Sequence, residues 1–188
     1  MKMDHQNLLL KLARESICQT LEPKASGFDS LFQDLENIPE FKEERATFVT
    51  LTINGALRGC IGMLEACRPL IEDVAENAKS AAFHDPRFPP LSRKEFEKID
   101  IHISVLSPPE EITFSSEADL LECMRPGIDG LILQEGGRRG TFLPCVWEEL
   151  PGKEEFLMHL KMKAGLPAGY WSDSLRVFRY TAEYFPED

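Results

Sequence analysis

The chain has 188 residues, with 21 Lys+Arg against 32 Asp+Glu and a formal net charge of −11. Hydrophobic residues make up 43% and charged residues 28%, which suits a globular chain of one domain or two small lobes around a buried core. No apolar run reaches the ~18 residues of a membrane-spanning helix, and the acidic balance lacks the basic footprint of a phosphate-backbone binder. A membrane protein, a disordered chain and a basic nucleic-acid coater are thereby excluded.

The first eleven residues place His, Asp and Lys inside a helical pattern with no small-residue cleavage site, so no secretory signal is expected. Leu8, Leu9, Leu12, Ala13, Ile17, Thr20 and Leu21 recur at helical spacing and predict an amphipathic helix over 7–21 that ends before Pro23. Residues 23–44 are turn-rich and acidic and read as a long surface connection, partly ordered by Phe28, Leu31, Phe32 and Leu35. From Ala46 to Ile53, Thr alternates with apolar residues. Asn54-Gly55 follows, and then Ala56 to Gly62, which predicts a hairpin closed by a type I′ turn.

Pro69 opens a helix with Leu70, Ile71, Val74, Ala75, Ala78, Ala81 and Ala82 on one stripe, its alanines suited to close approach to a sheet. Pro86, Pro89 and Pro90 end it and hold a rigid loop. Ser92-Arg93-Lys94-Glu95 is a capping box, and residues 99–106 alternate as a strand with one wet face. In the second half, a helix is expected over 116–124 and strands over 130–133 and 138–143, around Gly136-Gly137. Helices at Pro144 and over 154–164 and a strand over 174–183 complete it. Trp147, Trp171 and Tyr170 are expected in the core or between lobes.

Gly55-Ala56-Leu57-Arg58-Gly59-Cys60 and Gly136-Gly137-Arg138-Arg139-Gly140-Thr141 both read Gly-x-x-Arg-Gly-x. Each sits in a hairpin followed by a helix, a second helix and a strand. The expected fold is therefore α+β, a mixed β-sheet with flanking helices, in two lobes from an internal duplication with units near 46–108 and 111–183.

Five cysteines, Cys18, Cys60, Cys67, Cys123 and Cys145, lie at irregular spacing with no Cys-x-x-Cys and no His-x-x-x-His. This disfavours a zinc site or a disulfide framework; no metal or cofactor is expected, and the thiols read as reduced and cytoplasmic. Cys60 is the candidate nucleophile. Two positions apart on a strand, Arg58 and Cys60 point to one face, where a guanidinium favours the thiolate. Gly59 and Gly62 leave room for a ligand or for another backbone to approach. The competing reading is a small thiol packed in the core, with the glycines serving a bulge. Asp85 and Arg87, fixed by prolines, either hold a carboxylate or phosphate group or tie the loop to itself. His84, His102 and His159 carry no ligand signal, and the roles of Arg139 and Lys163 stay open.

The Leu57-Arg58-Gly59-Cys60-Ile61-Gly62 hexapeptide resembles the signature of the AMMECR family, also called AmmeMemoRadiSam system protein A. The resemblance extends through Asp85-Pro86-Arg87-Phe88-Pro89-Pro90-Leu91, Ser104-Val105-Leu106-Ser107-Pro108, Gly127-x-x-Gly130-Leu131, Phe142-Leu143-Pro144-x-Val146-Trp147, Phe156-Leu157-x-x-Leu160 and Lys163-Ala164-Gly165-Leu166. These blocks run in family order over about residues 46–180. Cys145 departs from the polar residue expected between Pro144 and Val146. The resemblance implies a two-lobed α+β protein of the cytoplasm, acting with a Memo-like protein and a radical S-adenosylmethionine enzyme, and no established reaction. Two functions follow as expectations: a small-molecule or anion site, with or without thiol-dependent catalysis, at Arg58, Gly59, Cys60, Gly62, Asp85 and Arg87, or a non-catalytic interaction module.

Overall fold

The computed structural model describes residues 1–187, which divide into two compact units, Met1–Leu106 with the C-terminal residues from Glu183, and Ser107–Ala182. In the N-terminal unit the leucine stripe forms α1 (Met3–Leu21) and the alanine-rich stripe forms α3 (Leu70–Phe83). The hairpin strands β1 (Thr47–Ile53) and β2 (Ala56–Gly62) join β3 (Ile99–Leu106) and β8 (Ala182–Pro186) in a sheet of order β2-β1-β3-β8. The Asn54-Gly55 turn has φ of 52° and 77°, the two positive values a type I′ turn demands. Both α1 and α3 pack on one face of this sheet. There Val49, Leu51, Ile101 and Ile103 meet Leu9, Leu12, Ile17, Val74 and Ala78 with none of them exposed. Removing that much apolar surface from water is what holds the unit together.

A buried polar knot fixes the start of the hairpin against α3. Asp73, 1% exposed, accepts the Thr47 amide, the Thr47 hydroxyl, Asn77 Nδ2 and Arg68 Nε. A carboxylate this deep is tolerable because its oxygens are so fully bonded. Between α1 and β1, the stretch expected as a surface connection holds α2 (Phe28–Leu35) and a 3-10 turn at Pro39–Lys42. Ser92 and Glu95 form the expected capping box at α4 (Arg93–Phe96).

The second unit has its own four-stranded sheet, built from β4 (Glu110–Glu111), β5 (Gly130–Glu135), β6 (Arg138–Phe142) and β7 (Arg176–Tyr180), in the order β4-β7-β5-β6. Two helices accompany it, α5 (Glu117–Cys123) and α6 (Lys153–Lys163), and Pro144 opens a 3-10 turn rather than an α-helix. Trp147 is buried as expected; its ring stacks on Phe156 at 3.7 Å and its indole N–H donates to the Asp129 carbonyl.

The α+β class holds, but the strands form two separate antiparallel sheets, one per unit, instead of one mixed sheet. The alternating run expected as one strand over 174–183 breaks at Thr181, and its halves, β7 and β8, belong to different sheets. Read outward from the hairpin, the two orders match: β2-β1-β3-β8 and β6-β5-β7-β4. Gly59 and Gly140 play the same part in each. A Cβ on Gly59 would lie 2.2 Å from the Ala81 carbonyl oxygen on α3, and one on Gly140 would lie 2.7 Å from the Ala164 nitrogen after α6. Among the described residues, no helix is long and apolar enough to cross a membrane.

Candidate functional site

The hairpin of the N-terminal unit is not regular, and the irregularity decides where the thiol goes. Pairing begins at Ile53 with Ala56 and Thr52 with Leu57, then shifts, so that Leu51 meets Gly59 and Thr50 meets Cys60. Arg58 is the extra residue of a β-bulge. Without it, the two-residue turn would set Cys60 opposite Val49, which faces the packed core. With it, Cys60 moves opposite Thr50, on the face away from the helices. The matching hairpin in the second unit pairs from Glu135–Arg138 to Leu131–Phe142 without a shift.

The bulge also overturns the expected partnership of Arg58 and Cys60. Alternation along the strand fails where a residue is inserted, so the two side chains part company. Arg58 is only 7% exposed; its Nε and Nη2 bond the Glu95 carboxylate at 2.8 and 3.3 Å, and Nη2 also donates to the Pro89 carbonyl. The Arg58 guanidinium, with help from Ser92, holds Glu95 down to a pKa of about 2. Arg58 thus ties β2 to the proline loop and α4 and does not serve the thiol.

The flanking glycines are likewise filled by protein. Gly59 admits the backbone of α3, and a Cβ on Gly62 would lie 2.3 Å from the Thr47 carbonyl and 2.4 Å from the Phe48 ring. Of the alternatives the sequence leaves open, close approach of the protein's own groups is the one the structure shows.

Asp85 and Arg87 do reach Cys60, through its backbone. Asp85, 4% exposed, accepts the Cys60 amide at 2.9 Å and the Arg87 amide at 3.1 Å. It also takes Arg87 Nε at 3.0 Å and Nη2 at 2.7 Å. Arg87 Nη2 donates in turn to the Cys60 carbonyl at 3.2 Å. The buried carboxylate and the guanidinium therefore grip both backbone polar groups of one residue, the amide and the carbonyl of Cys60. Hydrogen bonding from Arg87 and from the two amides drives Asp85 far below the ordinary carboxylate range, so it is an anion at every physiological pH. Arg87 is raised, first by its bond to Asp85 and further by the field of Cys60. With its side chain 53% exposed, it presents an edge, Nη1, that carries no hydrogen bond among the described residues.

Cys60 is half-buried, and its Sγ accepts the Thr50 hydroxyl at 3.1 Å. Thr50 also lies opposite His102 in the β1–β3 register, which places Cys60, Thr50 and His102 in one row across three strands. The imidazole is held from both sides, by Thr52 Oγ1 at Nε2 and by the Tyr184 hydroxyl at Nδ1, 2.7 Å away. Tyr184 stacks on it at 5.7 Å and 12°. Thr50, His102 and Tyr184 are site residues that sequence reasoning missed. His102 shows only as a wet-face position, and its nearness to Cys60 depends on a register the bulge alters. His84 caps α3 and is exposed, with no contact to the row. No cluster that could hold a metal ion occurs among the described residues, nor does a disulfide join any cysteines there.

The sequence model of the AMMECR1 family matches residues 10–185. The chain belongs to the AMMECR1 family. A protein of Methanothermobacter thermautotrophicus is 43% identical over 187 residues, covering 98% of this chain and 95% of that one. A second, from Thermotoga maritima, is 41% identical over 154 residues, covering 80% and 83%. The crystal structure of an uncharacterized protein from Pyrococcus horikoshii superposes with a TM-score of 0.82 at 35% identity, covering all of this chain and 94% of that one. The Leu57–Gly62 hexapeptide and the Asp85–Leu91 block meet at the Cys60 backbone.

Proposed function

We propose that the helix-free face of the N-terminal sheet is a small-molecule site for an anionic ligand, with Arg87 as the anion contact and Cys60 as the thiol the ligand meets. One observation carries this reading: the bulge turns Cys60 away from the core while Asp85 and Arg87 lock its backbone amide and carbonyl and leave a guanidinium edge beside it. A thiol wanted only for packing needs no such clamp, since a small hydrophobe would fill the space. Thr50 donates a hydrogen bond to the sulfur and so fixes its direction, and thiol-dependent chemistry on the bound ligand is part of the proposal. Action in the cytoplasm, alongside a Memo-like protein and a radical S-adenosylmethionine enzyme, is carried over from the family resemblance; five cysteines outside any disulfide support the reducing location. The matching strand orders and the paired glycines support an origin of the two units by duplication.

The test is a thermal-stabilisation screen of phosphorylated and carboxylated small molecules on wild type, Arg87→Gln and Cys60→Ser. A true ligand at about 100 times its Kd stabilises by about 2.7 kcal/mol, and that gain should vanish in Arg87→Gln. Stabilisation that survives both substitutions would refute the site. The second reading, a non-catalytic interaction module, is favoured by Leu57, which stands 45% exposed in the same hairpin.

A further inference from the structure

We propose that the groove between α2 and α3 is a docking site for a basic segment of a partner protein, one that carries Lys or Arg side chains around an aliphatic anchor. The groove shares no residue with the Cys60 site. Its floor is apolar: Phe28 and Phe32, one helical turn apart with ring centroids at 5.6 Å, face Ala75 of α3. Its rim is acidic, with Asp29 and Glu36 on one side and Glu72 and Glu76, four residues apart on α3, on the other. The open volume is about 640 Å³, within the range of built ligand sites.

The molecule itself shows how a cation sits there. Lys79 is the one cation among these lining residues; its Nζ is 2.6 Å from Glu76 Oε1 and 5.8 Å from the centroid of the Phe28 ring. An ammonium between a carboxylate and an aromatic face is the arrangement by which such rims take Lys and Arg. Lys79 answers Glu76 alone: Glu36 and Glu72 have no ion pair among the described residues, so the groove keeps an excess of negative charge.

The shape argues for a chain segment over a compact metabolite. A second depression of about 360 Å³ continues past Phe32, Glu36 and Glu72 to Pro69 and Ile71, with Lys42 as the cation on its lining, which makes the groove elongated. An extended or helical segment lays alternate side chains along such a channel, the apolar one on the floor and the basic ones on the rim. The net charge of −11 draws a basic partner in from a distance.

The experiment is fluorescence anisotropy with a labelled helical peptide bearing Lys and Leu at i and i+3/i+4, beside one peptide with Lys replaced by Ser and another with Leu replaced by Ser. The Lys/Leu peptide should bind, and binding should weaken as salt shortens the Debye length below about 8 Å. It should fall at least about tenfold in Glu72→Lys/Glu76→Lys, a loss of about 1.4 kcal/mol or more, with unchanged circular dichroism. Cys60→Ser should bind normally, which separates failure here from failure of the thiol site. Unchanged binding by the charge-reversed protein would overturn the proposal. So would equal binding of the Leu-free peptide, which would reduce the groove to a plain counterion surface. A shift of wild type to dimer that the charge reversal abolishes would overturn it too, by making the occupant a second copy.

Discussion

Asp85→Asn is the sharpest perturbation of the clamp, because it changes charge and bonding with little change in shape. The carboxylate takes four hydrogen bonds, two at each oxygen: the Cys60 amide and Arg87 Nη2 at Oδ2, and the Arg87 amide and Nε at Oδ1. Asn keeps one acceptor oxygen and turns an NH2 group toward the other pair. Whichever way it flips, a backbone amide is left facing another donor, at a cost of about 1–3 kcal/mol. The lost bonds to the guanidinium add less, since Arg87 is half exposed and water takes its place. The expected destabilisation near neutral pH is about 2–4 kcal/mol. Urea unfolding followed by circular dichroism reads it, because α1 and α3, the two longest helices described, both lie in this unit.

The same pair of proteins makes a pH prediction with a definite sign. Asp85 is depressed in the folded state, so its stabilisation is fully present above the unfolded carboxylate value of about 3.9 and is lost as pH falls toward the folded value. The wild-type advantage should be flat above about pH 5 and shrink by up to about 1.4 kcal/mol per unit below about pH 4. A neutral-pH difference under about 0.5 kcal/mol, or a gap that holds steady into acid, would refute the clamp as the carrier of that stability.

Other outcomes follow from the packing. Gly59→Ala forces a methyl against the α3 backbone and should destabilise by about 2 kcal/mol or more in urea titration, while Gly137→Ala, with nothing within 4 Å, should change little. Lys161 is fully buried and bonded at 2.8 Å to Glu117, whose side chain is 44% exposed. Lys161→Met should therefore stay within about 1 kcal/mol of wild type while Glu117→Ala costs about 3, because only the second strands a buried charge; equal effects would contradict this. Arg58→Gln should shift the acid sensitivity contributed by Glu95, normally lost between about pH 4.5 and about 2, toward that of an unpaired carboxylate, as read by stability against pH.

Much of this architecture was legible in residue patterns. The Asn54-Gly55 turn, the alanine stripe of α3 and the Ser92–Glu95 capping box are local signals with short-range causes, and each forms as expected. The acidic stretch at 23–44 hid α2, since Phe28, Leu31, Phe32 and Leu35 span only two turns and gain their helicity from packing on the core. The break at Thr181 was invisible because period-two alternation continues straight through it while the chain changes sheets.

At the site, residue types were readable and directions were not. Arg58, Cys60, Asp85 and Arg87 converge on one stretch of β2, yet the guanidinium that bonds Cys60, through its backbone carbonyl, is that of Arg87, while Arg58 turns to Glu95. Gly59 was the clue, since an isolated strand glycine marks a bulge as readily as an open pocket. Only the paired strand shows that one inserted residue moves Cys60 from the side of Val49 to that of Thr50. His102 is held by Thr52 and Tyr184, 50 and 82 residues away along the chain, which no spacing rule connects.

The most direct measurement is the rate at which native Cys60 is carbamidomethylated at neutral pH, resolved by peptide mass spectrometry against the exposed Cys67 in the same molecules. Cys60, although half-buried, should react at least as fast as Cys67; Arg87→Gln should slow Cys60 severalfold without changing Cys67, and Arg58→Gln should leave the Cys60 rate unchanged. A Cys60 that reacts only as the protein unfolds, or whose rate follows Arg58 instead of Arg87, would contradict this.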